Sequence, residues 1–127
     1  MFSRGRGHVA WIASVAGFVG LPKAAAYGPS KAALINLAES LKVDLERRGI
    51  RVSVVNPGFV ETPLTAQNDF HMPLLMQAPE AARLTIEGLL RHSFEISYPW
   101  RFVLMMKLAR LLPYTLFFRL IRKIVPE

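Results

Sequence analysis

The 127-residue chain contains no cysteine, which excludes a disulfide framework, thiolate metal ligation and a thiol nucleophile. That absence suits a reducing compartment. Histidine is scarce. His8, His71 and His92 stand without the spacing that a metal-binding set requires, so structural or surface roles are expected of them and no metal is expected. Between residues 99 and 125 no charge-free run exceeds the eight residues Leu111 to Phe118, far short of the roughly 20 that a membrane-spanning helix needs. Internal repeats and low-complexity tracts are also missing. Charged residues make up 20% of the chain and hydrophobic ones 52%, a balance that excludes intrinsic disorder and supplies one ordinary domain with a core.

What the chain does have is positive charge, +7 in all, and it is concentrated. Residues 98–127 hold six cations (Arg101, Lys107, Arg110, Arg119, Arg122 and Lys123) against one acid, Glu127, whereas residues 1–97 are close to balanced. High basicity is one signature of nucleic-acid binding. Here the cations are interleaved with Leu, Phe and Met, which favours a membrane surface or a partner over nucleic acid. From Tyr114 a helical wheel gathers Thr115, Arg119, Arg122 and Lys123 on one side and Leu116, Phe117, Leu120, Ile121 and Ile124 on the other. Pro113 divides this segment from the stretch Trp100–Leu112. Two readings stay open for the tail: a helix lying in a lipid interface, or a helical extension packed on its own domain or a sister subunit.

Upstream, the apolar run His8 to Ser14, flanked by glycines, reads as a buried strand. Residues 15–26, with Gly17, Gly20 and Pro22, read as a loop. From Tyr27 the pattern turns helical: Pro29 is tolerated in a first turn, and Leu34, Leu37, Leu41 and Leu45 recur on one face as core or subunit interface. Arg47-Arg48 followed by Gly49 predicts the end of that helix. Ile50 to Val55 is a β-branched strand stopped by Asn56-Pro57-Gly58. Residues 8–55 thus form strand, helix, strand with a crossover long enough for parallel pairing, expected to be right-handed. An irregular segment follows over 59–77, then a helix from Pro79 to about Arg91 and a last strand over Phe94 to Tyr98.

The N-terminus admits a competing reading. Met1 to His8 is basic, Val9 to Leu21 is apolar, and Ala24-Ala25-Ala26 offers small residues, the layout of a secretory leader. Ser14, Gly17, Gly20 and Pro22 dilute that run, and its residues join a chemical pattern that continues downstream. Gly5-Arg6-Gly7 lacks the preceding strand and third glycine of a dinucleotide fingerprint and reads as a turn.

That pattern begins with Tyr27 and Lys31, four apart at a helix start and therefore able to share one face. A free phenol, with a pKa of about 10, is a poor acid–base group near neutrality. A cation a few ångströms away favours the phenolate, so that the pair can pass a proton to or from an alcohol. Ser14 ends the preceding strand, at the edge of a parallel sheet where ligands bind, and its hydroxyl could hold the reacting oxygen. A Tyr–Lys pair alone is commonly surface packing. Three segments together are more specific: Ala13-Ser14-Val15-Ala16-Gly17, Ala26-Tyr27-Gly28-Pro29-Ser30-Lys31-Ala32-Ala33, and Arg51-Val52-Ser53-Val54-Val55-Asn56-Pro57-Gly58-Phe59-Val60-Glu61-Thr62. In this order and spacing they resemble the short-chain dehydrogenase/reductase family over about residues 5–95, and only the C-terminal half of its domain.

The resemblance implies an α/β fold, the C-terminal half of a Rossmann-type doubly wound parallel sheet over residues 1–97, followed by a C-terminal amphipathic helical extension over 98–127. It implies hydride transfer between NAD or NADP and an alcohol/carbonyl pair. Tyr27 would be the catalytic acid/base, Lys31 would assist it and bind the nicotinamide ribose, and Ser14 would orient the substrate. Pro57, Gly58, Val60 and Thr62 would line the nicotinamide, with backbone near Val60 reaching its carboxamide. Residues 63–77, with Phe70, Met72, Leu74, Leu75 and Met76, would cap the substrate, and their character suggests an apolar one or simple packing on the sheet. Homo-oligomers and a cytoplasmic location, at the membrane surface if the tail binds lipid, are also implied. The family's glycine-rich turn, its NAD/NADP selector and its catalytic asparagine have no counterpart here, so the chain alone is expected to bind a dinucleotide poorly. The alternative is a catalytically dead module that binds a membrane surface or a partner.

Overall fold

A computed structural model of the chain describes residues 1–63, 65–67 and 72–124. Three strands, β1 (Gly7–Ile12), β2 (Ile50–Pro57) and β3 (Glu95–Tyr98), form one parallel sheet in the order β1-β2-β3. Helix α1 (Tyr27–Glu46) crosses from β1 to β2, and α2 (Ala78–Leu90) from β2 to β3. Two further helices, α3 (Trp100–Leu111) and α4 (Tyr114–Ile124), follow on either side of Pro113. This is the α/β architecture expected from the strand–helix–strand pattern.

The central strand explains why the sheet holds. Ile50, Val52, Val54 and Val55 are all but fully buried, because α1 covers one face of β2 and α2 the other. On the α1 face, Ala13, Val52 and Val54 meet Ala38, with Leu34, Ile35 and Leu45 around them. Ala38, a small residue of α1, is wholly buried in that cluster. Leu37, on the expected leucine stripe, is exposed on the helix flank. On the α2 face, Val55, Ile96 and Tyr98 pack against Met76 and Ala81. The inner side of α3, through Phe102, Val103 and Met106, closes a third cluster with Val15 and Phe18.

Two expectations need correcting. β1 is not a buried strand: Ala10 and Ile12 are exposed, because α2 lies over β2 and β3 and leaves this part of the sheet face open. β2 also runs two residues past Val55, to Pro57. Ala13 N–H donates to Val55 O and Gly58 N–H to Tyr98 O, so Pro57 faces the side where β1 has already ended. Its missing N–H therefore removes no ladder bond.

Candidate active site

The carboxyl ends of β1 and β2 lie side by side, and the three segments singled out in the sequence converge there. Ser14 follows β1 in extended conformation and starts a 3-10 turn, Val15–Gly17. Its side chain is buried and bonded twice: Oγ accepts from Ala16 N–H at 3.2 Å and donates to Pro57 O at 3.3 Å. The serine thus ties the end of β1 to the end of β2.

Tyr27 opens α1, and Lys31 sits one turn further on. Lys31 Nζ donates to Ile12 O, the last carbonyl of β1, at 3.0 Å, and lies 5.5 Å from the centre of the Tyr27 ring. Tyr27 is 53% exposed and accessible to a ligand. Ser14, Tyr27 and Lys31 are therefore gathered at one end of the sheet, with the ammonium between β1 and the phenol.

The spacing of that assembly is set by Gly17. A Cβ there would lie 2.8 Å from both Lys31 C and Ala32 N, and 2.9 Å from Ile35 Cδ1. Only a residue without a side chain lets the turn after Ser14 rest on the backbone of α1 beside Lys31. The sequence carried this glycine inside the first motif but gave it no role of its own. Its signal is a glycine three residues beyond the serine, in a turn that must abut a helix.

The segment after β2 is folded into a second wall. Glu61 N–H donates to Met76 O and Met76 N–H to Phe59 O, making an isolated parallel bridge that does not use the Val60 N–H. Thr62 and Thr65 lock the turn: Thr65 Oγ1 donates to Val60 O at 2.7 Å and accepts from Thr62 N–H at 2.8 Å. Gly58 lies against Pro99 and Phe102, and the Phe59 ring against that of Phe102. Met76 is buried on the sheet, whereas Leu74 and Leu75 are exposed. Phe70 and His71 fall outside the described residues. His8 and His92 stand away from this end: His8 Nε2 bonds Ser53 Oγ at 2.8 Å, and Arg51 reaches His92 Nδ1 at 3.4 Å.

Known proteins resemble this chain in sequence and in fold. The family model described as short chain dehydrogenase matches residues 1–72, which include all three motifs. The chain belongs to the short-chain dehydrogenase family. An uncharacterized oxidoreductase of Myxococcus xanthus is 45% identical over 92% of the chain, which spans 46% of that protein. Among solved structures, a short-chain dehydrogenase from Sphingobium yanoikuyae in complex with NADPH matches with a TM-score of 0.71 at 26% identity, over 78% of this chain and 40% of that one. A bulky-bulky ketone specific alcohol dehydrogenase from Comamonas testosteroni matches with a TM-score of 0.65 at 26% identity, over 77% of this chain and 37% of that one. The chain thus spans less than half the length of these short-chain dehydrogenase relatives. No helix among the described residues is long and apolar enough to cross a membrane.

Proposed function

We propose that residues 1–97 carry the proton-transfer half of a nicotinamide-dependent oxidoreductase that interconverts an alcohol and a carbonyl. The observation that carries this reading is the Lys31 ammonium, held by Ile12 O beside the Tyr27 ring, with Ser14 two residues beyond that carbonyl. The donor set suits the nicotinamide end of a dinucleotide: an ammonium and a phenol for a ribose hydroxyl, and a Val60 N–H left out of the neighbouring bridge for a carboxamide. When bound, the nicotinamide supplies or accepts the hydride.

The chain's own residues handle the proton and the geometry. Ser14 Oγ donates to the substrate oxygen, exchanging its 3.3 Å bond to Pro57 O for a bond to the ligand. The Tyr27 hydroxyl gives its proton to that oxygen as the carbonyl is reduced, or takes one as the alcohol is oxidised. Lys31, one turn away, stabilises the resulting phenolate charge. Pro57, Gly58, Val60 and Thr62 would line the nicotinamide side of the cofactor. The exposed Leu74 and Leu75 favour an apolar substrate, and the Leu37 flank of α1 suits contact between subunits. By itself the chain, which has no glycine-rich strand–turn–helix motif, binds dinucleotide weakly and is inactive.

The test is a chimera in which the missing part of the domain comes from the Myxococcus xanthus relative. With a panel of secondary alcohols, Ser14→Ala should lower kcat on the order of a hundredfold and leave cofactor affinity nearly unchanged. Lys31→Met should weaken both. Turnover unaffected by either change would contradict the assignment.

A further inference from the structure

Helix α3 has two apolar faces. Phe102, Val103 and Met106 face inward and are buried. Trp100, Leu104, Leu108 and Leu111, spaced by four, four and three residues, form a second stripe, whose Leu108 and Leu111 also border a cleft lined by Phe18, Ile35 and Val54. All four are exposed, Trp100 at 66% and Leu111 at 79%. Helix α4 also exposes apolar side chains. It is anchored through Phe117, while Leu116, Leu120 and Ile124 lie uncovered along one flank, and Tyr114 and Phe118, stacked at 5.9 Å, along the other. Large exposed apolar patches mark interaction sites.

The charge on the same two helices selects the partner. Arg101, Lys107, Arg110, Arg119, Arg122 and Lys123 face no acid anywhere between residues 98 and 124. Lys107 is paired with Glu95, and Arg101 stacks on Trp100. Among the described residues, Arg110, Arg119, Arg122 and Lys123 have no ion pair. A second copy of the chain would bring the same uncompensated cations to the contact and be repelled. Nucleic acid would leave the Leu104–Leu108–Leu111 stripe in water. An anionic bilayer meets both demands: headgroups neutralise the cations, the leucines enter the acyl boundary, and Trp100 and Tyr114 suit the headgroup level.

We propose that α3 and α4 form a docking surface for an anionic lipid bilayer, holding the sheet and its site at the membrane without spanning it. This proposal does not rest on the catalytic reading.

Sedimentation of the 127-residue chain with phosphatidylcholine vesicles, with and without phosphatidylserine, tests it. Binding should require phosphatidylserine and weaken as salt is raised. Each cation near an anionic surface contributes about fivefold in partitioning, so Arg119→Gln, Arg122→Gln and Lys123→Gln together should lower it on the order of a hundredfold. Leu104→Gln with Leu108→Gln, both exposed, should also abolish binding while the circular dichroism spectrum stays unchanged. The proposal would be overturned by no dependence on phosphatidylserine, by vesicle binding indifferent to the leucine pair, or by self-association of the chain that those same leucine changes abolish. Duplex DNA bound as tightly as the vesicles would also overturn it.

Discussion

Single residues fix the conditions under which this fold is stable. His8 donates to the fully buried Ser53, which in turn donates to Ser93 O at 2.7 Å. Burial first, and then the neighbouring His92 and Arg51, holds the His8 imidazole below its ordinary value. An imidazole depressed in the native state takes up protons more readily in the unfolded chain. The stability due to neutral His8 is therefore complete above about pH 6.5 and is lost as pH falls toward the lower folded value. Glu95 adds a second, more acidic step. Burial opposes its ionisation, but hydrogen bonds from Lys107 and Ser97 outweigh burial and hold its carboxyl below the usual range. Its contribution is present above the ordinary value of 4.5 and is lost as pH falls through the folded one. Thermal midpoints measured against pH should decline below about pH 6.5, and His8→Gln should flatten that upper step. Equal slopes in the two proteins would refute the role given to His8. At Gly49 the backbone has a φ of +72°, and a Cβ would lie 2.1 Å from Gly5 O. Gly49→Ala should cost more than about 1 kcal/mol in a denaturant melt.

Elements carry the site, and they show what a sequence alone can deliver. The crossover from β1 through α1 to β2 was legible because periodicity changes from helix to β-branched strand with Gly49 between them. Helices α3 and α4 were legible through Pro113. The extension of β2 to Pro57 was not, because whether a proline breaks a strand depends on where the neighbouring strand ends, and that is a tertiary fact. The exposed outer face of β1 was hidden for the same reason: an apolar run does not say which of its faces will be covered. Nor could spacing reveal that Ala38, and not a leucine, is the α1 residue wholly buried against the sheet. The convergence of Ser14, Tyr27 and Lys31 was legible in motif spacing, whereas the contact that sets it, Gly17 against α1, was not. Gly17→Val should force the turn off α1 and cut turnover of the chimera at least tenfold, well beyond its effect on melting temperature, since a misplacement of about 1 Å can cost a hundredfold in rate. Turnover and stability falling in proportion would instead mark Gly17 as a packing residue only. Phe102→Ala should cost about 3–5 kcal/mol and speed amide exchange throughout α3, because that ring joins the helix to Val15, Phe18 and Phe59.

At the scale of the whole molecule, β2 is sheltered by β1 and β3, whereas among the described residues the outer edge of β1 has no partner strand. Unpaired edges invite association. Ala10→Lys, at an exposed β1 position, should therefore reduce light scattering by the 127-residue chain; unchanged scattering would place its association elsewhere. The same geometry divides the labour of the domain. In the proposed reading this chain supplies the proton-transfer groups and the residues that line the nicotinamide, and the remainder of a full-length domain would hold the pyrophosphate. Titration of the chain with NADH and NADPH should accordingly give weak binding, and the chimera tight binding. The most direct measurement is single-turnover hydride transfer by that chimera, with Tyr27 and with Tyr27→Phe, at saturating cofactor. The expected result is a loss of about 10²–10⁴-fold that raising the cofactor concentration does not restore. Equal rates would show that the phenol at the start of α1 moves no proton, and would contradict the assignment of this site.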